Sequence, residues 1–241
     1  MKTIRALTLS ILAILILGAC KQINTEREPH WFKLNYSQFH EKEYEEYFLQ
    51  RIDSMPEIKY KESIVDFYRK NNTPIWTVNG FQEHKIDSLM SYFDKSWQHG
   101  LSRNFFQYDS IQSVISKLKE REINENDLYP TLYNLEMSLT DNYLKYAHAL
   151  EYGATDPKLV NGGKWLYETQ QTDSDFVNKA LKECYHIPKS LRKLQPMKEE
   201  YTMLQDELIR LHQIKDTNFK SIDPTILHQN QSSDNIIRLC A

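Results

Sequence analysis

From about residue 38 onward, apolar side chains recur at spacings of three and four, the period of a helix with one buried face. Tyr44, Tyr47, Phe48 and Ile52 mark such a face within residues 38–53. Ile64, Val65, Phe67 and Tyr68 mark another from Ser63 to Lys70. Asn71-Asn72-Thr73-Pro74 ends it, because a proline ring disfavours helical backbone at the residue before it. Ile75-Trp76-Thr77-Val78 then reads as a short extended piece and Asn79-Gly80 as a turn. A helix from Glu83 to Ser96 follows through Ile86, Leu89, Met90 and Phe93. His99-Gly100-Leu101 stops it, with the glycine in the left-handed conformation. Asp109 suits the N-cap of the next helix, which carries Ile111, Val114, Ile115 and Leu118.

The most regular stretch runs from about Asp127 to Tyr152. Leu128, Leu132, Leu135, Leu139, Tyr143, Tyr146 and Leu150 form one apolar stripe along it. Asn126 or Asp127 can cap this helix, Pro130 is tolerable near its start and Gly153 ends it, so it is expected to be the spine of the domain. Asp156-Pro157 opens a new segment, and Asn161-Gly162-Gly163 is a loop before Trp165. Three further helices are expected: Asp175 to Cys184, a short one between Pro188 and Pro196, and Glu199 to Leu211 with Tyr201, Leu204, Leu208 and Leu211 on its apolar face. Beyond Lys215 the pattern weakens. The expected fold class is all-α, with no internal repeat.

Composition narrows the function classes. The 241 residues are 40% apolar, 12% aromatic and 26% charged, which excludes a polytopic membrane protein. A net charge of −3 argues against electrostatic binding of nucleic acid, so no nucleic-acid partner is expected. Six glycines and eight prolines exclude collagen-like and low-complexity chains.

The first residues follow a different pattern. Lys2 and Arg5 precede an apolar run from Leu7 to Leu17, too short for a comfortable transmembrane span. Leu17-Gly18-Ala19-Cys20 then places small residues before a cysteine, the arrangement of a bacterial lipobox. Residues 1–19 are expected to be a lipoprotein signal peptide, and Cys20 the site of lipidation, its thiol forming the thioether to diacylglycerol. The competing reading is an ordinary signal or anchor with a chance cysteine. Removing Lys2 and Arg5 leaves 28 basic against 33 acidic side chains, a formal −5. An anionic body does not cling to anionic lipid, so the membrane partner is reached through the acyl chains. Residues 20–37 are expected to act as a tether, polar from Gln22 to Pro29.

Candidate chemistry is sparse. His40-Glu41-Lys42-Glu43-Tyr44 lacks the second histidine that a zinc-protease helix needs, and no paired cysteines suit a structural zinc. No glycine-rich phosphate loop or Gly-x-Ser-x-Gly elbow is present. No metal and no cofactor is expected. Cys184, in Lys182-Glu183-Cys184-Tyr185-His186, has neither a well-placed base nor a glycine turn to aim backbone N–H groups. The reading of Cys184 and Cys240 stays open between a disulfide and a buried thiol with a frayed end. Glu45-Glu46 and Glu199-Glu200 read as solvated helix faces before a carboxylate pair for glycoside cleavage. No catalytic residue is assigned.

The order of landmarks resembles the scaffold domain of large L,D-transpeptidases. Phe67-Tyr68 followed by Thr73-Pro74-Ile75-Trp76 resembles its opening, and His99-Gly100-Leu101 its characteristic stop. Leu135-Glu136-Met137-Ser138-Leu139-Thr140-Asp141-Asn142-Tyr143-Leu144-Lys145-Tyr146 resembles its long helix. Ala149 to Pro157 with Trp165, then Leu194-Gln195-Pro196 with Tyr201 and Leu204, resemble its exit and last helix. The resemblance covers about residues 60–212, within an expected helical scaffold domain over 38–214. Residues 215–241, with Ile222, Leu227 and a helix from Asp234 to Leu239, resemble the start of the family's peptidoglycan-binding-like domain, cut short.

In that family a cysteine in a Ser-His-Gly-Cys setting joins stem peptides of peptidoglycan; this sequence holds no such motif. The resemblance therefore implies a non-catalytic envelope lipoprotein facing the periplasm, associated with peptidoglycan or a wall-remodelling protein. The alternatives are the N-terminal fragment of an active L,D-transpeptidase and an unrelated α-helical binding lipoprotein.

Overall fold

The computed structural model describes residues 31–79, 81–160, 162–163 and 171–214. Every regular element among them is helical, so the fold is all-α. The described residues divide into two compact units, one made of those up to 86 and from 110 to 140, the other of those from 87 to 109 and from 141 onward.

The first unit opens with α1 (Trp31–Asn35). This helix falls within the 20–37 span expected to act as a tether, after its polar stretch. Phe32 is 1% exposed and stacks on Phe81, centroids 5.1 Å apart. Asn35 donates through Nδ2 to the carbonyls of Leu118 and Lys119, which end α5 (Tyr108–Lys119) and have no partner inside that helix. The helix α2 (Glu41–Arg51) buries Tyr44 and Phe48, and α3 (Lys61–Asn71) buries Ile64, Val65, Phe67 and Tyr68. Asn72 closes α3 in the left-handed conformation, φ 55°, its N–H bonded to the Tyr68 carbonyl. Asparagine tolerates that backbone better than most residues that carry a Cβ. The remainder of the unit comes from the first turn of α4 (Glu83–Asp94), from α5, and from α6 (Glu125–Tyr152) up to Thr140. Asp109, expected as an N-cap, lies in the first turn of α5.

The second unit takes the rest of α4 and α6, then α7 (Pro157–Val160), α8 (Phe176–Glu183), α9 (Ile187–Leu194) and α10 (Glu199–His212). Phe93 and Phe106 stack at 5.2 Å, with Tyr146 edge-on to Phe106 at 4.9 Å. Pro188 sits in the first turn of α9, where its missing N–H has no helical partner to lose. Gly100 adopts φ 72° after a single 3₁₀ turn, Ser96–His99, as the His-Gly-Leu motif predicts.

The helix α10 departs from its expected packing. Leu204 is 72% exposed and Leu211 47%, although both lie on the regular apolar face. Tyr201 and Leu208 of the same face are half-buried. Cys20, Trp165, Cys240 and the expected helix Asp234 to Leu239 lie outside the described residues.

Candidate functional site

One carboxylate organises the centre of the first unit. Glu136 sits on the buried stripe of α6, four residues after Leu132 and three before Leu139, and is fully buried. It accepts hydrogen bonds from three consecutive backbone N–H groups: Ile75 at 2.5 Å, Trp76 at 3.0 Å and Thr77 at 3.0 Å. The hydroxyls of Thr77 and Tyr68 donate to it at 2.8 and 2.6 Å. The Thr77 proton is thereby committed, so Tyr44 donates to Thr77 Oγ1 at 2.9 Å. Thr140 Oγ1 accepts from Trp76 Nε1 at 3.0 Å and donates to the Tyr68 hydroxyl at 2.7 Å.

These bonds explain why Ile75 to Val78 is not the extended piece its composition suggests. A strand would spend its N–H groups on a neighbouring strand. Here three of them converge on one side chain, and the segment is a series of bends. Burial pushes the Glu136 carboxyl above its usual range, while Tyr68, Ile75, Thr77 and Trp76 pull it back. With no solvent access, this cluster positions backbone rather than performing chemistry.

In the second unit, α10 is held by an imidazole. His99 Nδ1 lies 2.6 Å from the Tyr201 hydroxyl and 3.2 Å from Gln205 Nε2. Gln205 can only donate there, so Nδ1 is the unprotonated nitrogen. The Trp97 ring stacks on His212 with centroids 3.9 Å apart. Tyr201 and Leu208 of the expected face are thus half-buried, joined by Gln205, while Leu204 and Leu211 are exposed. Burial lowers the His99 pKa from its ordinary 6.5, and the titratable side chains facing it are Tyr146 and Tyr201, both raised by burial. A depressed folded-state value means the native state favours neutral imidazole. That contribution to stability is present above pH 6.5 and is lost as pH falls through the folded-state pKa. Protection of the α10 amides, taken relative to the intrinsic exchange rate at each pH, is expected to be lower at pH 5 than at pH 7, and His99→Gln should remove most of that difference. Equal protection at the two pH values would contradict the assignment.

Cys184 is fully buried, although its sequence neighbours Glu183 and Tyr185 are exposed. A thiol without access to solvent cannot attack a stem peptide. A pocket of about 200 Å³ opens in the same unit, between α8, α9 and the end of α6. Tyr143, Phe176, Ala180 and Ser190 form its buried floor. No described helix is long and apolar enough to cross a membrane.

The family of scaffold domains matches residues 62–208, more than half of the chain. The chain belongs to the L,D-transpeptidase scaffold-domain family. Searches of curated proteins and of solved structures found no match. Within this scaffold domain the separate sequence landmarks acquire a common explanation. Phe67-Tyr68, Thr73 to Trp76 and the Glu136–Thr140 stretch supply Tyr68, Trp76, Glu136 and Thr140 to one hydrogen-bonded cluster. His-Gly-Leu presents His99 to Tyr201, which belongs to the last landmark. The sequence pattern marks these residues without assigning them roles. The available signal was an acidic residue on an otherwise apolar helical stripe, since a buried charge requires partners. The pocket residues carried no such signal.

Proposed function

We propose that this chain is a non-catalytic, membrane-anchored lipoprotein whose scaffold domain serves peptidoglycan remodelling in the bacterial envelope. The observation that carries this reading is the family match over residues 62–208, joined to the lipobox-like Leu17-Gly18-Ala19-Cys20. Lipid on Cys20 would hold the domain at the membrane, facing the periplasm. Peptidoglycan, or a protein that remodels it, would be its partner. The non-catalytic part rests on the chemistry of the cysteines: acyl transfer needs a reachable thiolate with a base and oxyanion donors. Cys184 is buried, and the sequence offers no Ser-His-Gly-Cys setting.

The test is incubation of the purified chain with isolated sacculi. Sedimentation with the sacculi and an unchanged muropeptide profile are expected. New links between stem peptides would refute the non-catalytic reading and favour an active transpeptidase.

A further inference from the structure

A groove of about 340 Å³ opens on the first unit, between the end of α2, the 3₁₀ turn Ile52–Ser54 and the N-terminal third of α6. Tyr47, Arg51, Ser54, Pro130, Tyr133 and Asn134 line it. Arg51 is the one charged residue in that lining, on a chain whose net charge is −3.

Arg51 is held in place from two sides. Its backbone carbonyl accepts from the Tyr133 hydroxyl at 3.0 Å, and its guanidinium lies over the Tyr47 ring, 3.8 Å from the centroid. Stacking uses the flat face of a guanidinium and leaves its five N–H groups, which lie in the plane, for acceptors. Among the described residues none of the five meets an acceptor. Asp53, the carboxylate nearest in sequence, is taken by Arg69. The Ser54 hydroxyl and the Asn134 amide are uncommitted in the same way, and all three side chains are exposed. The rings of Tyr47 and Tyr133 are engaged within the protein, by Arg51 and Phe48. What the groove offers a ligand is therefore polar: one guanidinium, one hydroxyl and one amide.

We infer that this groove binds the carboxylate of a small polar molecule, with Arg51 paired to the carboxylate and Ser54 and Asn134 to the hydrogen-bonding groups beside it. A guanidinium fork matches the two oxygens of a carboxylate. Its single charge balances one carboxylate, whereas a phosphate near two negative charges stays half-neutralised. A cation is repelled, and an apolar ligand leaves all three groups unmatched. Peptide C-termini and sugar acids both carry a carboxylate beside an amide or hydroxyl. The inference rests on the groove alone and does not depend on the proposed role in the envelope.

Saturation-transfer NMR on the full chain in detergent tests it with two acids, N-acetyl-dialanine and glucuronate, each beside its amide, which lacks the carboxylate. At least one acid is expected to bind saturably at about 1–10 mM, with its amide about fivefold weaker, as for a well-oriented exposed charge pair. The tighter acid names the source of the carboxylate. Arg51→Gln should weaken that acid to the level of its amide and leave the amide unchanged. Arg51→Lys keeps the charge without the fork and should recover only part of the difference. Inorganic phosphate should compete no better than acetate. The inference is overturned if neither acid binds saturably up to about 10 mM, or if the amides bind as well as the acids. It is overturned equally if Arg51→Gln binds the acid like the parent, or if phosphate displaces the acid more readily than acetate does. The comparison of acid with amide uses the unaltered protein, so it decides the question even where a variant fails to fold.

Discussion

Glu136→Ala is expected to destabilise the domain by about 3–5 kcal/mol, as when one partner of a buried charged network is removed. Five donors converge on this carboxylate. Truncation leaves three backbone N–H groups and two hydroxyls facing a cavity. Each unsatisfied buried group costs about 1–3 kcal/mol, less whatever local relaxation recovers. Against a typical domain stability of about 5–15 kcal/mol, the loss is a large fraction of the total. Glu136→Gln should not rescue fully, because one carboxylate oxygen becomes an amide that presents N–H to N–H. Tyr68→Phe removes one donor to Glu136 and the acceptor of the Thr140 proton, and should cost about 1–3 kcal/mol, less than Glu136→Ala. Urea unfolding of the three variants gives the comparison. A Glu136→Ala variant within about 1 kcal/mol of the parent would show that the cluster does not hold the segment from Ile75 to Thr77.

Cys20→Ser is expected to move the protein from the membrane fraction to the soluble fraction. A serine hydroxyl cannot form the thioether that carries the diacylglycerol. One acyl chain binds a bilayer marginally and two bind stably, at about 0.8 kcal/mol per buried methylene. The body itself is anionic and supplies no compensating attraction. Fractionation with mass spectrometry of the N-terminal peptide reads the outcome. A Cys20→Ser protein that stays lipid-modified and membrane-bound would refute the lipobox reading.

Most helices were legible from periodicity because their apolar stripes are long and face a core. The stripe of α6 predicts a helix from about Asp127, and the structure begins it at Glu125. Gly100 was legible because only a left-handed stop explains glycine after that run. The helix α1 was not, since five residues are too few to show a period and Phe32 is buried by Phe81, far away in sequence. Ile75 to Val78 looked extended because local propensity favours it, and a distant carboxylate overrides that propensity. The helix α10 shows the opposite failure. Its spacing is regular, and Tyr201 and Leu208 of that face are half-buried, yet Leu204 and Leu211 are exposed while Gln205, outside the pattern, meets His99. Periodicity identifies the helix and only part of its covered side. The pocket was hidden for a related reason: its lining comes from segments separated by up to about fifty residues, and its charged side chains look individually like ordinary surface.

The most direct test of the proposed role is the muropeptide profile of cells lacking this protein, compared with cells complemented by the parent or by Cys184→Ala. A non-catalytic scaffold in wall remodelling predicts an altered cross-link pattern in the deletion and full restoration by both forms. An unchanged pattern in the deletion would contradict the role in the wall. Restoration by the parent but not by a stably folded Cys184→Ala protein would contradict its non-catalytic character.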